Sequence, residues 1–186
     1  MTYLTTPAES PLYPSARDAM GYVPNYLRVL ALCPGVHTAW LHLSETVRDG
    51  MDLRRYELVT LTAARRLGST YCALAHASVL RGLLRDDAAW HAVVTGDRGA
   101  GLSPADVAVM DFAGRVAADP VTVSEADIGL LREHALTDAD ILQIVVAVCL
   151  RRFFSGILSA TGAIPDAIFD DLPSGIRAAL ESPAGP

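Results

Sequence analysis

Between Val23 and Gly162 the apolar residues return every three or four positions, and no run of alternating residues bounded by hairpin turns interrupts them. That period stacks side chains along one face of a helix, whereas a sheet needs a period of two. The chain is therefore read as all-α. Tyr26, Leu27, Val29, Leu30 and Leu32 lead to the break at Pro34-Gly35, and Val36, Trp40, Leu41, Leu43 and Val47 continue to Gly50, which gives two helices. Leu53 to Leu67 carries Leu58, Val59, Leu61 and Thr62 on one side and stops at Gly68, a good C-terminal breaker. Ser69 or Thr70 can cap a new helix through Tyr71, Leu74, Val79 and Leu83, so these two helices are expected to form an antiparallel hairpin.

Downstream, Asp86 or Asp87 opens a short helix to Thr95, and a glycine-rich surface turn is expected from Gly96 to Gly101. Ser103-Pro104 is a cap followed by proline, opening a helix that ends near Ala118. Ser124 starts a further helix to about Ala135, and Thr137 caps the longest one, through Ile141, Ile144, Val145, Val148 and Phe153 to Gly162. Residues 1–20 form an N-terminal arm, extended over its prolines, that wraps a neighbour or frays; residues 165–186 form a tail with one or two helical turns. The stretch from Asp138 to Gly162 faintly echoes that from Arg55 to Gly82, a hint of internal pseudo-duplication.

A length of 186 residues fits one domain spanning 1–186. The apolar fraction of 51% exceeds what one small core consumes, and homo-oligomer burial is its natural outlet. Net charge is -6 and the arginines cluster no further than pairs, which excludes a nucleic-acid footprint. The chain has no lysine, so Schiff-base chemistry through a side-chain amine is excluded. The strongest apolar run, Ile141 to Leu150, is interrupted by Gln143 and followed by Arg151 and Arg152, and the first residues lack a signal-peptide pattern. The expectation is a cytoplasmic protein without a membrane partner. Cys33, Cys72 and Cys149 form no CxxC pair and read as reduced thiols. His37, His42, His91 and His134 share no metal-ligand spacing, and no metal, haem or flavin site is expected.

Chemistry concentrates at Glu57, Cys72 and His76. Cys72 follows closely on the start of its helix, where free amides and the positive dipole end favour a thiolate. His76 lies one turn later on the same face, placed to take the thiol proton, and Glu57 on the preceding helix can face it across Gly68 and orient its ring. The plain alternative is a small core cysteine, a satisfied histidine and a carboxylate that complements a helix dipole. Tyr71 lines the pocket or fills the core. Asn25 is expected to cap the first helix. Arg151 and Arg152 are expected at a solvated or interface position, with contact to an acidic substrate or Glu57 as the alternative.

Glu57, eleven residues, Ser69-Thr70-Tyr71-Cys72, three residues and His76, together with the upstream GYVPNYLRVLALCPGV, resemble the AhpD-like superfamily of alkylhydroperoxidases and carboxymuconolactone decarboxylases, in its peroxidase-related branch. The resemblance covers the chain from about Gly21 to Gly162. Position by position it implies that Glu57, Cys72 and His76 match the family's glutamate, second cysteine and histidine, and it places Ser69 where the peroxidases carry their first cysteine. A serine cannot form the dithiol–disulfide pair. Three activities follow from the resemblance: an antioxidant, peroxidase-type oxidoreductase working through Cys72 alone, with Ser69 donating a hydrogen bond at the thiolate; acid/base catalysis on a small carbonyl or lactone, as in the decarboxylases; or a binding or scaffold protein. For the first, an external thiol resolves the sulfenic acid, or else Cys149, for which a core-packing role is favoured, or Cys33. The implied partners are a small-molecule substrate and further copies of the chain, as trimers or hexamers.

Overall fold

The computed structural model of the chain describes residues 2–84, 86–96 and 101–181, and among these all regular structure is helical. The α-helices run α1 Tyr13–Met20, α2 Asn25–Leu30, α3 Pro34–Asp49, α4 Leu53–Arg66, α5 Thr70–Leu83, α6 Asp87–Thr95, α7 Pro104–Ala118, α8 Glu125–Glu133, α9 Asp138–Thr161 and α10 Ser174–Glu181. Short 3-10 turns lie at Pro120–Thr122 and Ala167–Asp171.

Helix α4 is the hub and packs against α5, α7 and α9. Its sequence alternates two apolar stripes, and each feeds a different core. Leu58, Leu61 and Ala64 pack with Leu74 and Leu80 of α5, Val93 of α6 and Ile176 and Leu180 of α10. Tyr56, Val59 and Ala63 join Val109, Phe112 and Val116 of α7, Leu131 of α8 and Ile144 and Val148 of α9. Leu58, Val59 and Leu61 are at most 1% exposed, and burying each such side chain is worth roughly 1.5–3 kcal/mol. Because both faces of α4 are covered, its register is fixed from two sides.

The ends of the helices follow local chemistry. Asp52 caps α4 and Asp86 caps α6 through their carboxylates, and Ser103, Ser124 and Thr137 form reciprocal capping boxes with Asp106, Asp127 and Asp140. Helix α4 ends in a left-handed glycine, Gly68 at φ 66°, where Ser69 N–H donates to Ala64 O and Gly68 N–H to Arg65 O. The chain reverses there, and α5 packs back along α4. Ser69 occupies the N-cap position of α5 without making a side-chain cap bond, unlike the serines before α7 and α8.

The structure corrects two expectations and bears out a third. The N-terminal arm does not lie free: Tyr3 N–H donates to Thr161 O, the Tyr3 ring lies over Gly162, and Tyr13 of α1 is fully buried beside Val23 and Leu27. The C-terminal tail holds the expected helical turns, at Ala167–Asp171 and in α10, and α10 inserts Ile176 and Leu180 between α5 and α6. Asn25 does not cap its helix; its side chain donates to Ile164 O at 3.2 Å, and its amide is taken by the Asp166 carboxylate at 2.8 Å. The glycine-rich turn expected from Gly96 to Gly101 lies, at residues 97–100, outside the described residues. Helix α9 is long and apolar enough to cross a bilayer by length and composition. Its Ile141, Ile144, Val148 and Leu158 are nevertheless packed inside the protein.

Candidate active site

The reversal at Gly68 sets Glu57, in the first half of α4, against His76, in the middle of α5. His76 Nδ1 lies 2.6 Å from Glu57 Oε2 and 3.2 Å from Thr60 Oγ1. Thr60 spends its hydroxyl proton on Tyr56 O at 2.8 Å, so both oxygens facing Nδ1 accept. The proton of a neutral His76 therefore sits on Nδ1, leaving Nε2 as the basic nitrogen. Burial pushes His76 below the ordinary histidine value, the charge of Arg151 pushes the same way, and the hydrogen bond and charge of Glu57 oppose them. The net direction is downward. A resting neutral ring with one nitrogen held by a carboxylate is the geometry of an oriented general base.

Cys72 is the third residue of α5 and 1% exposed. Its sulfur is not hydrogen-bonded to His76. Instead, Arg151 of α9 donates from Nη1 to Cys72 Sγ at 3.6 Å. Arg151 is 6% exposed, and its guanidinium lies over the Phe154 ring, 5.6 Å from the centroid. Among the described residues no carboxylate pairs with it, whereas Arg54 grips Asp106 through two bonds of 2.7 and 3.0 Å. A buried cation without a carboxylate is costly unless an anion forms beside it, and the group beside it is a thiol able to ionise. The expected solvated or interface position for Arg151 is thus overturned. Arg152 takes an exposed position, reaching Val116 O at 3.4 Å. A signal for this was present: Ile144, Val148, Arg151, Ser155 and Leu158 follow one another at helical spacing, so Arg151 falls on the buried face of α9.

Ser69 is buried beside the start of α5, and its hydroxyl makes no hydrogen bond to Cys72; the bond at sulfur comes from Arg151. The Tyr71 hydroxyl donates to Asp166 while accepting the Tyr26 amide at 3.4 Å. Burial and the Asp166 carboxylate push Tyr71 far above the ordinary phenol value, so it is a fixed neutral donor. Cys149, expected in the core, is exposed on α9, and Cys33 is exposed as well. Two positions apart, Cys149 and Arg151 point to opposite sides of one helix. His37 is buried near Trp40, while His42, His91 and His134 are exposed. Among the described residues no cluster of histidine, cysteine and carboxylate groups has the makings of a metal site. A cavity of about 710 Å³ lies on the flank of α4 that faces α6 and α7, lined by Thr62, Arg65, Val93 and Met110; none of Glu57, Cys72, His76 and Arg151 borders it.

No protein-family model matches the chain, and no functionally curated protein matches it. Solved structures do. An uncharacterized peroxidase-related protein from Ralstonia eutropha JMP134, described as an alkylhydroperoxidase AhpD core, superposes with a TM-score of 0.81 at 23% identity, covering 98% of each chain. An uncharacterized peroxidase-related protein from Silicibacter sp. TM1040 gives a TM-score of 0.81 at 24% identity over 91% of this chain and 94% of that one. The debrominase Bmp8, solved with 2,3,4-tribromopyrrole, gives 0.75 at 15% identity over 96% of both. The chain has the AhpD-like fold.

Proposed function

We propose that the Cys72 centre reduces hydroperoxides. The observation that carries this reading is a buried thiol flanked by a buried arginine, one helical turn before an imidazole whose Nδ1 is held by Glu57. His76 Nε2 takes the thiol proton as the peroxide enters, and Arg151 faces the resulting thiolate. The sulfur attacks the terminal peroxide oxygen and the O–O bond breaks, its electron pair leaving on the alkoxide. The imidazolium returns its proton to give the alcohol. Sulfur has supplied two electrons and is now sulfenic acid. An external low-molecular-weight thiol attacks it, releasing water and forming a mixed disulfide, and a second thiol frees Cys72 with release of a disulfide. With Ser69 in place of a neighbouring thiol and with Cys33 and Cys149 on the surface, an external reductant suits the centre better than an internal one. That requirement fits a cytoplasmic location, where reduced thiols are held.

Exposed apolar side chains support assembly as a homo-oligomer, among them Val36, Leu41 and Leu43 on α3 and Leu142 and Phe153 on α9. The test of the function is turnover. With cumene hydroperoxide and excess thiol, the protein consumes peroxide catalytically, and Cys72→Ser and His76→Gln lose this activity. No consumption above the uncatalysed rate, either of cumene hydroperoxide or of a small hydroperoxide carrying a carboxylate, overturns the reading.

A second reading is favoured by one observation, the His76 ring engaged at Nδ1 by Glu57 and Thr60 while burial pushes it toward the neutral form. It is acid/base catalysis on a small carbonyl or lactone, with Cys72 and His76 as acid and base. The debrominase with this fold supports uses of the scaffold beyond peroxides. Conversion of such a substrate while Cys72 stays reduced and unmodified selects this reading.

A further inference from the structure

We infer that Arg151 carries a carboxylate subsite, so that the substrate of the Cys72 centre is a small molecule bearing an anionic group. This rests on Cys72 being the reacting centre and adds the substrate class. The guanidinium is a planar fork with five N–H donors. Its only hydrogen bond among the described residues runs from Nη1 to Cys72 Sγ. Nε is fully buried and has no partner, which leaves the edge formed by Nε and Nη2 unengaged. That edge presents two parallel donors at the spacing of the two oxygens of a carboxylate.

The surroundings fit the same ligand. One turn further along α9, the Ser155 hydroxyl is also buried without a partner, Ser155 being 2% exposed. Residues four apart on a helix are neighbours, so Arg151 and Ser155 set two unpartnered polar groups side by side on an otherwise apolar face. Phe154, stacked on Trp40 with ring centroids 4.2 Å apart, lies beneath the guanidinium and excludes water from it. Salt bridges elsewhere in the chain engage arginine with a protein carboxylate. Here the carboxylate comes with the ligand, and binding it beside Sγ brings the substrate to the nucleophile.

The charge selectivity of alkylation tests this without any peroxide. Iodoacetate and iodoacetamide are nearly the same size and differ in charge, so the ratio of their rates at one thiol cancels accessibility. Cys33 and Cys149 serve as exposed references in the same molecule. Read by peptide mass at neutral pH, the ratio at Cys72 is expected to exceed that at the two references by about tenfold. It falls to their level in Arg151→Met and is partly kept in Arg151→Lys, which retains the charge and loses the fork. In the wild-type protein, benzoate slows iodoacetamide at Cys72 and not at Cys33 or Cys149, while chloride at equal ionic strength has no such effect. This measurement decides the matter if the variants do not fold. A Cys72 ratio equal to the references, a ratio unchanged in Arg151→Met, or no protection by benzoate overturns the inference. If peroxide leaves Cys72 untouched while the ratio stands, the peroxide reading alone falls and the subsite remains.

Discussion

His76 and Glu57, brought together across the turn at Gly68, share a hydrogen bond of 2.6 Å with the proton on Nδ1. The carboxylate keeps the imidazole in the tautomer whose free nitrogen is Nε2, and it offsets part of what burial and Arg151 take from the ring's basicity. Glu57→Gln keeps the size of the side chain and removes its charge. The His76 ring is then expected to titrate at lower pH than in the wild type, read by NMR of its ring protons, and Arg151→Met is expected to move it the other way. Oxidation of Cys72 slows by roughly 10²-fold in Glu57→Gln, since an unoriented base loses most of its catalytic advantage.

The same pair makes stability depend on pH. Unfolded, His76 takes up a proton as the pH falls through the ordinary histidine value of 6.5; folded, it does so only at lower pH. In that window the unfolded chain binds more protons, so acid favours unfolding with a slope of at most about 1.4 kcal/mol per pH unit for one group. His37, pushed down by burial, acts in the same direction. The melting temperature is expected to fall on acidification below about pH 6.5, and His76→Gln to fall less steeply. A variant as acid-sensitive as the wild type contradicts the buried neutral ring.

Ser69 and Cys72 are the N-cap and third residues of one helix, positions whose side chains meet in the first turn. Introducing a thiol by Ser69→Cys therefore creates a pair within disulfide reach. Treated with peroxide, this variant is expected to lose two hydrogens as it closes the disulfide, where the wild type gains one oxygen. Intact mass distinguishes the two. A Ser69→Cys protein that only gains oxygen places the two positions too far apart.

Helix α10 contributes Ile176, 1% exposed, to the core shared with α5 and α6. Ile176→Ala is expected to cost about 2–5 kcal/mol in denaturant unfolding, the range for emptying a fully buried aliphatic site. A loss below about 0.5 kcal/mol marks α10 as a surface appendage.

What could be read from the sequence was what local chemistry dictates. Gly68 announced the end of α4, and Ser103, Ser124 and Thr137, each followed three residues later by an aspartate, announced α7, α8 and α9. Glu57, Cys72 and His76 stood out by a spacing set around one turn together with the family pattern that this spacing resembles. Contacts made between distant segments left no such mark. The Asp166 carboxylate reaches Tyr71 across 95 positions and the Asn25 amide across 141, and only folding brings them together. Arg151 was hidden differently: beside Arg152 it looks like a solvated charge pair, and a buried arginine without a carboxylate runs against the usual cost of burying charge. Cys149 shows the converse, a small apolar residue in the longest helix that ends on its exposed face.

The account turns on the sulfur of Cys72 being the atom that peroxide oxidises. Treating the wild-type protein with one equivalent of hydroperoxide in the presence of a sulfenic-acid trap, followed by peptide mass analysis, puts this to the test. Adduct is expected at Cys72 ahead of Cys33 and Cys149, although those two thiols are exposed and Cys72 is buried, and its yield falls in His76→Gln. Adduct on the two exposed thiols with Cys72 still reduced contradicts the account.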